Sequence, residues 1–225
     1  MAEAALVTGG SSGIGLAIAR MLRERGRDVT ISARTQDRLD AAAGEIGAYA
    51  VQADIAQAED CERLVGEHRN RFGRLDVLVN CAGVGIGRSI ADLQTKHWDL
   101  QFAVNVRGAF LVTREALPLL RDARGWIVNV SSIAGTIAAP GLAAYGASKA
   151  ALISLTRSLN AELDGDGVRA CAICPGFVDT PMAAWTGMES QEMIQPEDCA
   201  EVVSMLLDLS PKARVPHVII ERSGS

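Results

Sequence analysis

Short apolar runs alternate with helix-length stretches along the whole chain, and this alternation restricts the fold more than any other feature. Residues 4–7, 28–32, 48–52, 75–79, 126–130, 168–173 and 215–220 read as strands. Between them, residues 13–25, 36–46, 58–71, 96–120, 144–163 and 196–209 are long enough for helices. Thr35, Thr95 and the Gln195-Pro196 pair supply helix starts, and Gly26 and Gly73 stand where two helices should stop. Strands that are apolar nearly throughout, interleaved with helices, call for a parallel sheet covered on both faces. The expectation is an α/β fold with one doubly wound parallel sheet of about seven strands, residues 1–225 forming a single domain.

The bulk numbers agree with that expectation. A chain of 225 residues, 48% hydrophobic and 22% charged, can bury a substantial core. A net charge of −5 without any run of Lys and Arg argues against nucleic acid or an anionic membrane as partner. The first residues carry no basic leader, and no apolar run reaches the roughly 18–20 residues of a membrane span, so a cytoplasmic location is expected. The five cysteines are scattered. Cys171 and Cys174 fall within one strand run and should face opposite sides of the sheet, so they are expected as buried, reduced thiols rather than a zinc site.

The segment Thr8-Gly9-Gly10-Ser11-Ser12-Gly13-Ile14-Gly15 follows the first strand and opens the first helix. Glycines there let the backbone turn sharply and approach phosphate, while the helix N-terminus offers amide donors and positive potential. The spacing is G-x-x-x-G-x-G, and no Gly-Lys-Ser/Thr follows, which excludes a Walker loop. About 20 residues on, an acidic side chain would hold the ribose 2′-hydroxyl of NAD. Here Ala33 occupies that place, followed by Arg34 and, a turn later, Arg38. A guanidinium grips a 2′-phosphate that a carboxylate would repel, so NADP is expected in preference to NAD.

Tyr145 and Lys149 are four residues apart in a helical stretch and therefore share a face. A neighbouring ammonium stabilises a phenolate, which suits the hydroxyl to general acid–base work. With these residues stand Asp54, Asn80-Cys81-Ala82-Gly83, Asn105-Val106-Arg107-Gly108, Asn129-Val130-Ser131-Ser132, Pro175-Gly176 and Thr180-Pro181. Taken in order, these motifs make the chain resemble the short-chain dehydrogenase/reductases over residues 4 to about 220. The resemblance implies a Rossmann-type fold and a catalytic set of Asn105, Ser132, Tyr145 and Lys149. Tyr145 would exchange a proton with the substrate oxygen, Ser132 would hydrogen-bond that oxygen, and Lys149 would hold the nicotinamide ribose. Asn105 would anchor a water leading from Lys149 to solvent, and Ser131 would serve the loop backbone.

For the cofactor, the resemblance carries over Gly9, Ser11, Ser12, Gly13, Ile14 and Gly15, together with Arg34. Asp54 and Ile55 would lie at the adenine, and Asn80, Ala82 and Gly83 beside the adenosine ribose. Pro175, Gly176, Val178 and Thr180 complete the set. Cys81 stands where the family more often has Asn. No step of such chemistry calls for a metal.

The function implied is NADP(H)-dependent interconversion of a carbonyl and an alcohol on a small-molecule substrate. Two alternatives stay open: a 3-oxoacyl-carrier-protein reductase, for which only Arg88 and Arg107 offer basic contacts, and a non-catalytic NADP-binding sensor. A serine hydrolase is excluded, because no G-x-S-x-G elbow exists and His68, His97 and His217 fall in segments expected to be peripheral. The substrate walls are expected at residues 84–88, 133–142 and 177–188, with Met182, Trp185 and Met188 as candidate lids. Only about 20 residues separate Gly176 from the helix at Pro196, and the tail after the last strand is short, so an open site is expected. The resemblance also implies a homodimer or homotetramer built on the two helices that carry Asn105 and Tyr145, with Ala150, Ala151 and Leu155 as contacts.

Overall fold

The computed structural model describes residues 2–223. Gly224 and Ser225, the end of the short tail, lie outside the described residues, as does Met1. Seven strands are present: β1 (Ala4–Thr8), β2 (Asp28–Ala33), β3 (Tyr49–Gln52), β4 (Val77–Asn80), β5 (Trp126–Val130), β6 (Arg169–Pro175) and β7 (His217–Ile220). They form one sheet in the order β3-β2-β1-β4-β5-β6-β7, and every pairing is parallel. The order reverses between β1 and β4, and a doubly wound sheet opens its ligand crevice at such a switch point.

Both faces of the sheet are covered, which is why its central strands are apolar throughout rather than alternating. Successive residues point to opposite sides. Val7, Ile31, Val79, Val128 and Cys171 therefore pack with α1 (Gly13–Glu24), α2 (Gln36–Ile46) and α7 (Pro196–Leu207). On the other face, Leu6, Leu78 and Ile127 pack against α3 (Ala58–Phe72), α5 (Ala109–Ala123) and the end of α6 (Ala143–Glu162). All three are fully buried, and each contributes about 1.5–3 kcal/mol by leaving water. Cys171 and Cys174 lie in different core clusters, as their spacing predicts, and all five thiols are free. Burial pushes the Cys61 thiol up to about 11 and Cys171 to about 12, so both stay protonated and inert.

Two features differ from the sequence expectation. The stretch expected as one helix over 96–120 is three pieces: α4 (Thr95–Phe102), a π-helical turn (Ala103–Gly108) and α5. The π turn inserts an extra residue without breaking the helix, so periodicity alone does not reveal it. The second concerns His68, expected in a peripheral segment but fully buried under β2. Its Nε2 lies 2.9 Å from the Arg74 carbonyl, which can only accept, so Nε2 carries the hydrogen and Nδ1 accepts from the Thr30 hydroxyl at 2.8 Å. Burial pulls the imidazole down to about 4 and holds it neutral. The helix stops are as expected, with Gly26 (φ 78°) and Gly73 (φ 69°) in the left-handed region.

Candidate active site

At the carboxyl ends of the strands, above the β1–β4 switch point, lies a cleft of about 1180 Å³. One end is bounded by Arg34 and Asp54, the middle by the Gly9–Gly15 loop, and the far end by Tyr145, Phe177 and Trp185. The loop is shaped by its glycines. Gly9 has φ 70°, and a Cβ there would stand 2.8 Å from the Ala82 backbone. A Cβ at Gly15 would stand 2.3 Å from the Gly9 carbonyl oxygen, so no other residue lets the helix start this close to the strand. Thr8 fastens the loop to its neighbour: its Oγ1 accepts from the amides of Cys81 and Ala82, each at 3.2 Å. The sequence places Thr8 at the head of the loop motif but assigns its hydroxyl no role, because nothing local shows that a strand-end hydroxyl will meet another strand's loop.

Most of the expected cofactor residues line this cleft. Ser11, Ser12, Gly13, Ile14, Arg34, Asp54, Ile55, Ala82, Gly83, Pro175, Gly176, Val178 and Thr180 are all on its wall. Arg34 and Arg38 are exposed there, and neither has a salt-bridge partner among the described residues. Asp54 spends one carboxylate oxygen on the Ala56 amide at 3.0 Å, which turns the chain after β3.

Asn80 is the exception. It is 4% exposed and off the cleft wall, and its Nδ2 donates inward to Thr113 Oγ1 (3.0 Å) and Asn129 Oδ1 (2.9 Å). Asn129 passes the chain on to Thr156 at 2.8 Å. The Asn80 side chain thus ties β4 to β5 and α5 through its amide hydrogens and points away from the cleft wall.

The expected catalytic residues fall into two groups. Ser132, Tyr145 and Lys149 line the cleft. Lys149 is 4% exposed, its Nζ donates to the Val130 carbonyl at 2.8 Å, and it stands 5.6 Å from the centre of the Tyr145 ring. Ser132 Oγ accepts from the Ala134 amide at 3.2 Å, while its approach to the Pro175 carbonyl is long, at 3.5 Å. The hydroxyl hydrogen is therefore weakly held and available to the cleft. Ser131 serves the helix rather than the loop: its Oγ donates to the Lys149 carbonyl at 2.9 Å.

Asn105 forms the second group by itself. It is 1% exposed and does not reach the cleft. Its Oδ1 accepts from the Val84 amide (2.8 Å), and its Nδ2 donates to the Val84 carbonyl (2.9 Å) and to Ser148 Oγ (2.9 Å). Both Nδ2 hydrogens are thus engaged, while Oδ1 keeps a second acceptor site. Ser148, which the sequence reading missed, donates onward to the Tyr145 carbonyl at 2.7 Å. Asn105 thereby fixes both the cleft wall at Val84 and the turn of α6 that carries Tyr145. The signal for Ser148 was its position three residues after Tyr145, on the same face.

Of the expected lids, Met182 and Trp185 stand at the cleft mouth and Met188 does not. The segment is anchored at its base, where Val178 pairs with Ile194, and it carries short 3-10 turns at Pro181–Thr186 and Ser190–Glu192. Trp185 is 68% exposed and Met182 46%, so the segment borders the cleft without sealing it.

The short chain dehydrogenase family model matches residues 3–190. The chain is a member of the short-chain dehydrogenase family. Among curated relatives of this chain, an uncharacterized oxidoreductase of Staphylococcus epidermidis is 34% identical over 221 residues, 97% of this chain and 96% of that protein. One of Staphylococcus aureus is 33% identical over 220 residues, covering 96% and 95%. Among solved structures, an alcohol dehydrogenase from the archaeon Thermococcus sibiricus complexed with 5-hydroxy-NADP has a TM-score of 0.92 at 30% identity, covering 100% of this chain and 97% of that one. An actinorhodin polyketide ketoreductase substituted at one position, with NADPH, has a TM-score of 0.90 at 32% identity, covering 98% and 95%. The protein is an oxidoreductase on the Rossmann-type fold of this family. Among the described residues, no helix is long and apolar enough to cross a membrane.

Proposed function

We propose that this dehydrogenase reduces a ketone or aldehyde to the alcohol at the expense of NADPH, or runs the reverse reaction. The observation that carries the reading is the sharing of one cleft by Ser132, Tyr145 and Lys149 with the Gly9–Gly15 loop. The residues present fit the cofactor. The glycine loop leaves a cradle that any Cβ would fill, and Arg34 and Arg38 stand on the wall with no salt-bridge partner among the described residues. NADPH supplies the hydride when bound. Arg34 would hold its 2′-phosphate, with the Ser11–Gly15 amides toward the pyrophosphate.

In the reductive direction the Tyr145 hydroxyl gives its proton to the carbonyl oxygen. Ser132 donates a hydrogen bond to the same oxygen and fixes its position against the tyrosine. The Lys149 ammonium, tethered to the Val130 carbonyl, stabilises the phenolate left behind. Asn105 acts as a positioning residue through Val84 and Ser148. The same reading includes a homodimer or homotetramer, which Trp98, Leu100 and Phe110, exposed on α4 and α5, support.

The NADP- and NADPH-bound structural neighbours, an alcohol dehydrogenase and a ketoreductase, support this direction of reading. A screen of NADPH oxidation across aldehydes, ketones, 3-oxoacyl thioesters and steroids, with NADH in parallel, tests it. Turnover with NADPH on at least one carbonyl class is the expected result. Tight NADPH binding without turnover on any class would instead identify a sensor.

A further inference from the structure

The substrate end of the cleft has a chemistry of its own. Ten large apolar side chains are exposed among the described residues, and four of them (Ile137, Phe177, Met182 and Trp185) border this one mouth. Phe177 and Trp185 meet edge to face, with ring centres 6.4 Å apart at 70°, while remaining 43% and 68% exposed. Apolar surface concentrated at a cleft mouth marks a ligand surface, since scattered exposed side chains would not gather there. Rings held at right angles also offer a flat ligand both a face and an edge to pack against.

The charge at that end is equally one-sided. Among the described residues Asp54 is the only acidic one on the cleft wall, and it stands at the end where Arg34 lies. At the substrate end the cations are Lys149, tethered to Val130, and Arg88. Arg88 is exposed, has no salt bridge among the described residues, and its side chain donates to the neighbouring Gly87 carbonyl at 3.0 Å. Its position is fixed by its backbone, whose amide donates to the Gly141 carbonyl at 2.8 Å and so joins two walls of the mouth. Gly85, three residues earlier, lies against the Tyr145 ring, where a Cβ would be 3.4 Å from Cε2. Three residues of chain span at most about 10–11 Å, so the Arg88 backbone stays within that reach of the Gly85 backbone beside the Tyr145 ring.

We infer that the substrate is an aromatic or similarly flat apolar oxo acid, its carbonyl at Tyr145, its body on Phe177 and Trp185, and its carboxylate at Arg88. This inference rests on the proposed carbonyl reduction but adds a recognition element outside the acid–base group. It assigns Arg88 and Trp185 as specificity residues.

The test compares acid and methyl ester forms of the same ketones, namely 4-acetylbenzoate, 3-benzoylpropionate and 4-benzoylbutyrate, in the full-length protein with NADPH. Isothermal titration gives their affinities and NADPH oxidation gives kcat/KM, with benzaldehyde as a neutral reference carbonyl. The expected result is an acid preference of about fivefold over the ester for at least one spacing, the upper end for one charge pair at an exposed site. In Arg88→Gln the acid-to-ester ratio falls to about one, and Arg88→Lys restores part of it. Trp185→Ala raises KM for acid and ester alike, about tenfold, with little change in kcat. Esters bound as well as acids at every spacing, or a preference that survives Arg88→Gln, would overturn the inference. If benzaldehyde is reduced while the acid preference is absent, the inference falls and carbonyl reduction stands. If no carbonyl turns over, carbonyl reduction fails, and the titrations still decide the Arg88 site.

Discussion

Replacing Asn105 with Ala tests the positioning role that the structure gives this side chain. The substitution removes three hydrogen bonds, two to the Val84 backbone and one to Ser148. At about 1 kcal/mol net for each, and more where a backbone group is left unpaired, the loss of folding stability comes to about 3 kcal/mol. With a urea m-value of about 2–3 kcal/mol/M, the unfolding midpoint falls by about 1–1.5 M. The site feels the change as well, because the wall at Val84 and the carbonyl of Tyr145 both lose a tether. We expect kcat to fall by at least tenfold while the NADPH dissociation constant changes by less than about threefold, since Asn105 does not line the cleft. Urea titration followed by intrinsic fluorescence, with fluorescence titration of NADPH, measures both quantities. An unchanged midpoint with normal kcat would refute the positioning argument. A loss confined to NADPH affinity would show that Asn105 acts on the cofactor instead.

Two further outcomes follow from named contacts. His68 is held neutral by burial at about 4, against about 6.5 in an unfolded chain, so the unfolded state takes up a proton first as the pH falls. The stability tied to this residue is complete above about pH 6.5 and is lost progressively toward pH 4, about 3 kcal/mol in all. Urea midpoints at pH 7 and pH 4.5 should therefore fall more in the native protein than in His68→Gln, and parallel profiles would contradict the assignment. Arg34→Ala should reduce the preference for NADPH over NADH, measured as a ratio of kcat/KM, by about 10- to 100-fold, the worth of a charge-assisted bond to phosphate. An unchanged ratio would place the selectivity elsewhere.

What the sequence revealed, and what it concealed, follows from the range of each interaction. Strand runs, glycine stops and the loop at Gly9–Gly15 are written in adjacent residues, and the structure has them where the pattern predicts. His68 was legible in principle. With Cys61, Leu64 and Val65 it continues an i, i+3, i+4, i+7 stripe whose other members are all buried, and only its residue type suggested a surface position. The π turn around Asn105 was hidden, because one inserted residue barely disturbs helical periodicity. The inward turn of Asn80 and the double grip of Asn105 on Val84 depend on partners 21 to 49 residues away, which no local pattern reports. Thr8 belongs to the same class, since its hydroxyl joins two strands that are distant in the chain.

The central claim is that Tyr145 moves the proton at a carbonyl held beside a bound nicotinamide. Tyr145→Phe removes only the hydroxyl and leaves the ring that packs against Gly85. With the best carbonyl found by screening, the variant should bind NADPH within about threefold of the native protein and lose about 10²- to 10⁴-fold in kcat, the usual worth of general acid–base catalysis. A variant that binds NADPH normally and turns over at the native rate would contradict the claim.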